Sequence, residues 1–441
     1  MVLEFKAAIK YRETFVPGKR EPLTVLNNLL QAGIISKYVF YEDRDEVRIA
    51  GNELAKVLVT KEQVLLEGIE QSTTEIVNDP LKQVEKLLNS LSLENWTAYG
   101  YVAFDLARFY SSYSKSIAEP LCYFLIPETE LHFTKEGVRI KTTQSLEQVR
   151  EQLFVDSQLP SYTSTSLTID ESDREHYQNI VSEMIEAVQQ SYLHKAIISR
   201  PRQILGQLDV LGTYTIGSQA NNAARSYCLD LADVQAVGFS PETLMEVNEE
   251  GFVTTNPLAG TKPRGASIEE DIKFNNQLFT DAKEVKEHSL SIWLAQNEIA
   301  SVCLPETIQI FNFMEVKKYR CVQHLSSRVG GQLQSDKTLW DALKVLFPGI
   351  TVSGINKYKA LEWIDRLENE PRGLYAGAIG WVDSRGKADL ALSLRSVYQY
   401  GDRVCLNAGA GIIAESVPQN EYIESVNKMN TMLNNLVLTT K

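Results

Sequence analysis

The chain has no apolar run long enough to span a bilayer, and no stretch near its start combines a basic segment with seven or more apolar residues. Neither a signal peptide nor a membrane anchor is expected, and a cytoplasmic location follows. Cysteine is scarce: Cys122, Cys228, Cys303, Cys321 and Cys405 lie far apart with no CxxC spacing. That excludes a disulfide framework or a thiolate metal site and leaves five reduced residues, expected in the core. Low-complexity tracts are also missing. Basic charge is in deficit, with 44 Lys and Arg against 57 Asp and Glu and a formal net charge of −13. Such a field repels polyanions, which argues against nucleic acid and anionic membranes as partners.

What remains, 441 residues with 44% hydrophobic and 23% charged side chains, is material for one large globular unit or two domains. Up to about residue 155, strand-like runs (KYVFYED, VRIAG, KVLVT, WTAYGYVAFDL, LCYFLIP, GVRIKTT) surround one clear helix, LKQVEKLLNSL. Residues 155–172, rich in Ser and Thr, read as a connector. Residues 173–191 place Tyr177, Ile180, Val181, Met184, Ile185 and Val188 at helical spacing. Beyond them strands near HKAIISRPRQI, QAVGFSPETLMEV, GFVTTNPLAG, GLYAGAIGWVD, DLALSLRSVYQY and RVCLNAGAG alternate with helices. One long helix is expected over residues 266–302, and others over KTLWDALKVLF, KYKALEWIDRL and EYIESVNKMNTMLNNL. Without a regular βαβ period, this favours an α+β layered fold over a doubly wound sheet.

Several residues stand out chemically. Glu284 and Glu287, and separately Glu421 and Glu424, are spaced i, i+3, so each pair shares a helix face. Each pair alone reads as solvated surface. If the pairs faced one another, four oxygen ligands would suit Mg²⁺, and that cation would let an anionic substrate approach an acidic helix. Gly409, Ala410 and Gly411 read as a turn between strand and helix whose N–H groups could hold a small anion. Lys195, at the start of an apolar strand, could serve as a general base. Glu242, after a proline turn between two strands, is suitably placed for a general acid. Arg395 interrupts the apolar alternation of LALSLRSVY and is expected to share a strand face with Ser393 and Val397. Buried there, it would need an anion.

The strings HKAIISR, GFSPETLMEV, TTNPLAGTKPRG, DAKEVKEHSLSIW, VQHLSSRV, PGITVSGINK, GLYAGAIGW and AGAGIIAESVPQNEYIESVNK, in this order, resemble the chorismate-utilising enzymes, most closely their salicylate-forming branch. The resemblance is strong over residues 170–435 and looser before them. It implies one large α+β domain with an interior site for chorismate and Mg²⁺. Lys195 then matches the base that activates water for attack at C2 of the ring, and Glu242 the acid that protonates the departing C4 hydroxyl. Glu284, Glu287, Glu421 and Glu424 match the acidic set around Mg²⁺, which would hold the ring carboxylate. The Gly409–Gly411 segment and Lys428 match the cradle of that carboxylate. Tyr375 and Arg395 match the positions that hold the enolpyruvyl carboxylate, and Gly260, Thr261, His324 and Thr351 match other pocket positions. The chain departs from the family's SGxPK by reading SGINK, with Asn356 in place of proline.

Members that add ammonia resemble this chain less, since they usually carry glutamine where Lys195 stands and work with a glutaminase. No nucleophilic cysteine in a glycine-rich elbow occurs here, so no glutaminase partner is expected and the chain is expected to be a monomer. Thr351 resembles the threonine of the salicylate-forming members, whereas those that stop at isochorismate often have alanine. The expected activity is conversion of chorismate through isochorismate to salicylate and pyruvate, with arrest at isochorismate as the alternative.

Overall fold

A computed structural model describes residues 10–68, 72–110, 120–167, 171–190, 193–320 and 322–439, with the side chains of Thr261 and Lys283 outside that set. Cys321 also lies outside it. Twenty-one of the described strands join in one antiparallel network, flanked by helices, so the α+β expectation holds. Strands of the amino-terminal portion pair directly with strands of the carboxyl-terminal one. Tyr38–Glu42 runs beside Arg225–Asp230, and Thr97–Val102 beside Ala378–Asp383. No helix among the described residues is long and apolar enough to cross a membrane.

Period-two burial explains how the strands serve two layers. In Lys195–Ile204, Ala196 and Ile198 enter the larger apolar core, while Lys195 and Ile197 face a cavity. The helix Arg174–Gln190 covers that core with Tyr177, Val181 and Met184, on the predicted stripe. A second core lies under the helices Pro22–Gln31, Val210–Ala220 and Pro418–Leu433. Cys122, Cys228 and Cys303 are buried free thiols as expected, whereas Cys405 is only half-buried.

Three local expectations are corrected. The long helix over residues 266–302 is two helices, Ile268–Thr280 and Ala282–Ala300. Asp281 between them is extended (φ −77°, ψ 108°), its N–H bonded back to Gln277 and its carbonyl accepting from Val285, a junction suited to an aspartate that caps better than it propagates. The Gly409–Gly411 segment is not a turn. It lies within the strand Arg403–Ile412, where Gly409 pairs with Ser199 and Gly411 with Ile197. Ala410 points to the opposite face and is packed in the core. Nor does Arg395 lie on a strand face. It sits in the break between Ala388–Leu392 and Ser396–Tyr400, with φ 49°, half-buried.

Candidate active site

A cavity of about 180 Å3 gathers residues from ten separate segments. Lys195, Glu242, Gly260, His324, Thr351, Tyr375, Arg395, Gly409, Gly411 and Lys428 line it together with Glu284, Glu287, Glu421 and Glu424. Of the sequence-derived site residues, Ala410 faces the core, and the Thr261 side chain falls outside the described set.

Lys195 is the first residue of its strand and is 5% exposed. Its Nζ donates to Glu287 Oε1 at 2.5 Å. The amine reaches that position because Gly411, on the neighbouring strand, leaves room. A Cβ on Gly411 would stand 2.6 Å from Lys195 Cε. The glycine thus serves a close approach between strands, and the alternation AGAG that resembled a turn records the same need.

Glu242 occupies the Pro241 bend between the strands Val234–Ser240 and Thr243–Val247. Its carbonyl accepts from Ser240 Oγ at 2.9 Å and from the Leu392 N–H at 3.0 Å, which fixes the bend. The side chain is 5% exposed, and Thr351 Oγ1 donates to Oε1 at 2.7 Å. Burial pushes the Glu242 carboxyl up to about 8, against the smaller downward pulls of Thr351, the Leu258 N–H, Lys195 and Lys317. At neutral pH this acid holds its proton.

The helices Ala282–Ala300 and Pro418–Leu433 bring the two i, i+3 pairs to one cavity. Glu424 Oε1 lies 2.7 Å from Lys428 Nζ, and Glu284 Oε1 lies 3.7 Å from Lys262 Nζ. Among the described residues no three Asp, Glu, His or Cys side chains form a ready-made metal cage. The donors are nevertheless all hard carboxylate oxygens, and a Mg²⁺ ion normally completes its octahedron with water or substrate oxygens. By donor chemistry, these four carboxylates are the residues that would hold such an ion.

The same cavity holds groups suited to anions, one of them, Lys428, on an acidic helix itself. Lys428 Nζ also donates to the Gly409 carbonyl at 2.8 Å, which aims it along the glycine strand. His324 Nδ1 lies 3.2 Å from the Gly260 carbonyl, an acceptor, so the proton is on Nδ1. Burial, with help from Arg395, lowers the His324 pKa to about 3, keeping the ring neutral. Gly260 itself has φ 72°, and an added Cβ would stand 3.0 Å from Glu284 Oε2. Burial raises the Tyr375 hydroxyl to about 12, leaving a neutral hydrogen-bond donor.

One support escaped the sequence reading. The fully buried Arg372 forms a pair with Glu368 (2.8 and 2.6 Å) and donates to the carbonyls of Val352 (2.7 Å) and Ile197 (2.6 Å). Glu368 in turn accepts from the Ser199 N–H at 2.7 Å. This lock ties the Lys195 strand to the Thr351 loop and to the turn leading to Tyr375. The i, i+4 spacing of Glu368 and Arg372 was the available signal, but such a pair ordinarily reads as surface. Asn407 is a further wall residue, held by Tyr398 Oη at 2.6 Å.

Residues 36–434 match the family described as chorismate binding enzyme. The salicylate synthase of Mycolicibacterium paratuberculosis is 31% identical over 400 residues, covering 90% of this chain and 89% of its own. Anthranilate synthase component 1 of Saccharolobus solfataricus is also 31% identical, over 368 residues, covering 82% and 86%. The structure of the menaquinone-specific isochorismate synthase from Escherichia coli superposes with a TM-score of 0.77 over 97% of this chain and 95% of its own. At 19% identity it speaks for the fold alone.

Proposed function

Because this chain belongs to the chorismate-binding enzymes, and so acts on chorismate, we propose that it is a Mg²⁺-dependent salicylate synthase. The observation that carries this reading is the presence, in one cavity, of Lys195 on Glu287 and a protonated Glu242 on Thr351. Lys195, held by Glu287, acts as the general base and takes a proton from water as the oxygen bonds to C2. The ring double bond shifts, the C4–O bond breaks, and Glu242 gives its proton to the leaving hydroxyl, which departs as water. One water enters and one leaves, so the product is isochorismate.

Salicylate then requires transfer of the C2 hydrogen to the methylene carbon of the enolpyruvyl group as the C3–O bond breaks, giving pyruvate and an aromatic ring. This step needs no further protein base. It needs the side chain folded over the ring, and Arg395 and Tyr375, which line the cavity, would hold its carboxylate there. Glu284, Glu287, Glu421 and Glu424 are the residues to hold Mg²⁺, which when bound offsets the charge between the acidic helices and the substrate's ring carboxylate. Lys428 supports the same carboxylate from the glycine strand.

The test is to incubate the purified protein with chorismate and MgCl₂, with and without ammonium, and to separate the products by chromatography. Salicylate and pyruvate in equal amounts are expected, with isochorismate only transient. A mixture that settles at chorismate and isochorismate without pyruvate would reassign the chain as an isochorismate synthase. Anthranilate formed with ammonium would place it with the ammonia-adding members.

A further inference from the structure

A second cavity, of about 200 Å3, lies behind Pro241 and Leu258, the two residues that it shares with the catalytic one. Its wall carries four cationic side chains, Arg44, Arg225, Lys317 and Arg328, and a single carboxylate, Glu246. In a chain of net charge −13 this is a strong local reversal. Arg225 is committed elsewhere, donating to Asp389 at 2.9 Å and to Glu246 at 2.8 Å. Arg328 uses one terminal nitrogen for Glu246 (2.8 Å) and Thr254 (2.9 Å), but its buried Nε has no acceptor among the described residues. Lys317 is half-buried, and no hydrogen bond or ion pair holds it or Arg44 among the described residues.

Burying cationic groups together is costly unless an anion joins them. Here Glu246 is shared by two arginines, and neither the half-buried Lys317 nor the buried Arg328 Nε–H has a hydrogen-bonding anion among the described residues, while Arg44 adds an exposed cation beside them. Burial, with Arg44 and Arg328, lowers the proton affinity of Lys317 against the upward pulls of Glu315 and Glu246. The strand Gln309–Lys318 is distorted beside the cavity. Its register slips between Phe311 and Glu315, and Asn312, with φ 50°, joins the wall. Guanidinium forks and a point ammonium around a small volume are the recognition set for a compact oxyanion. We propose that this cavity binds a small dianionic oxyanion of the phosphate class, separately from the substrate.

The test is calorimetric titration of the full chain with inorganic phosphate at constant ionic strength, in a buffer free of other oxyanions. The wild type is compared with Arg44→Gln, Lys317→Gln and Arg395→Gln, each checked for fold by circular dichroism. Saturable binding is expected, weakened by about tenfold or more in Arg44→Gln and Lys317→Gln and unchanged in Arg395→Gln. Arg44 is exposed, so its variant keeps the test valid if Lys317→Gln misfolds. Absence of binding to the wild type overturns the proposal. So does loss of binding in Arg395→Gln, which would place phosphate in the catalytic cavity, and so does full binding by both Arg44→Gln and Lys317→Gln.

Discussion

Lys195 and Glu242 are equally buried, at 5% exposure each, and line one cavity, yet their surroundings differ in kind. Lys195 meets a carboxylate, Glu287, 2.5 Å away. Glu242 has neutral hydrogen-bond partners, the Thr351 hydroxyl at 2.7 Å and the Leu258 N–H, so burial decides its state and holds it protonated up to about pH 8. Equal burial thus leaves one group ion-paired and the other a neutral acid, and the partner makes the difference.

The harshest way to break this pairing is to remove the cation. Chelation with EDTA should abolish turnover of chorismate and excess Mg²⁺ should restore it, because two acidic helices face a dianionic substrate. Full activity in chelator would strip Glu421 and Glu424 of their assigned role.

Next in size are the two ends themselves. Lys195→Ala and Glu242→Gln should each lower kcat by roughly 10²-fold or more, the range for loss of a general acid or base. Isochorismate or salicylate formed at the wild-type rate by either variant would show that its role had been misassigned.

The pH profile sharpens the comparison. Glu242 acts in its protonated form and its folded pKa is raised to about 8, so kcat should fall as pH rises through about 8. An alkaline limb that stays flat to pH 10 would assign the donor to another group.

The smallest effect is expected from Thr351→Val. It removes the donor that lowers the Glu242 pKa, so the alkaline limb should move to higher pH. The rate at neutral pH should fall several-fold, in keeping with about 1 kcal/mol for one hydrogen bond. A rate loss with an unmoved limb would mean that Thr351 positions substrate rather than tuning the acid.

Periodicity and side-chain chemistry were enough to read the α+β class, the Tyr177 to Val188 stripe, the bend at Pro241 and the two carboxylate pairs, because these depend on neighbours within one or two turns of chain. Eight ordered motifs carried the family. Other features depended on partners far away in sequence. Gly409 and Gly411 read locally as a turn, but pairing with Ser199 and Ile197 makes them strand. Arg395 read as one step of an alternation, but Phe239, whose N–H bonds its carbonyl at 3.0 Å, lies in a strand on the other side of the break. The raised pKa of Glu242 needs a burial that no local string encodes. The Arg372–Glu368 lock and the cationic cavity of Arg44, Arg225, Lys317 and Arg328 likewise exist only once distant strands are joined. The sequence by itself determined which groups were available, since their chemistry is intrinsic. Only the tertiary structure decided which were desolvated, which were paired and which faced one another, because those are properties of the packed chain.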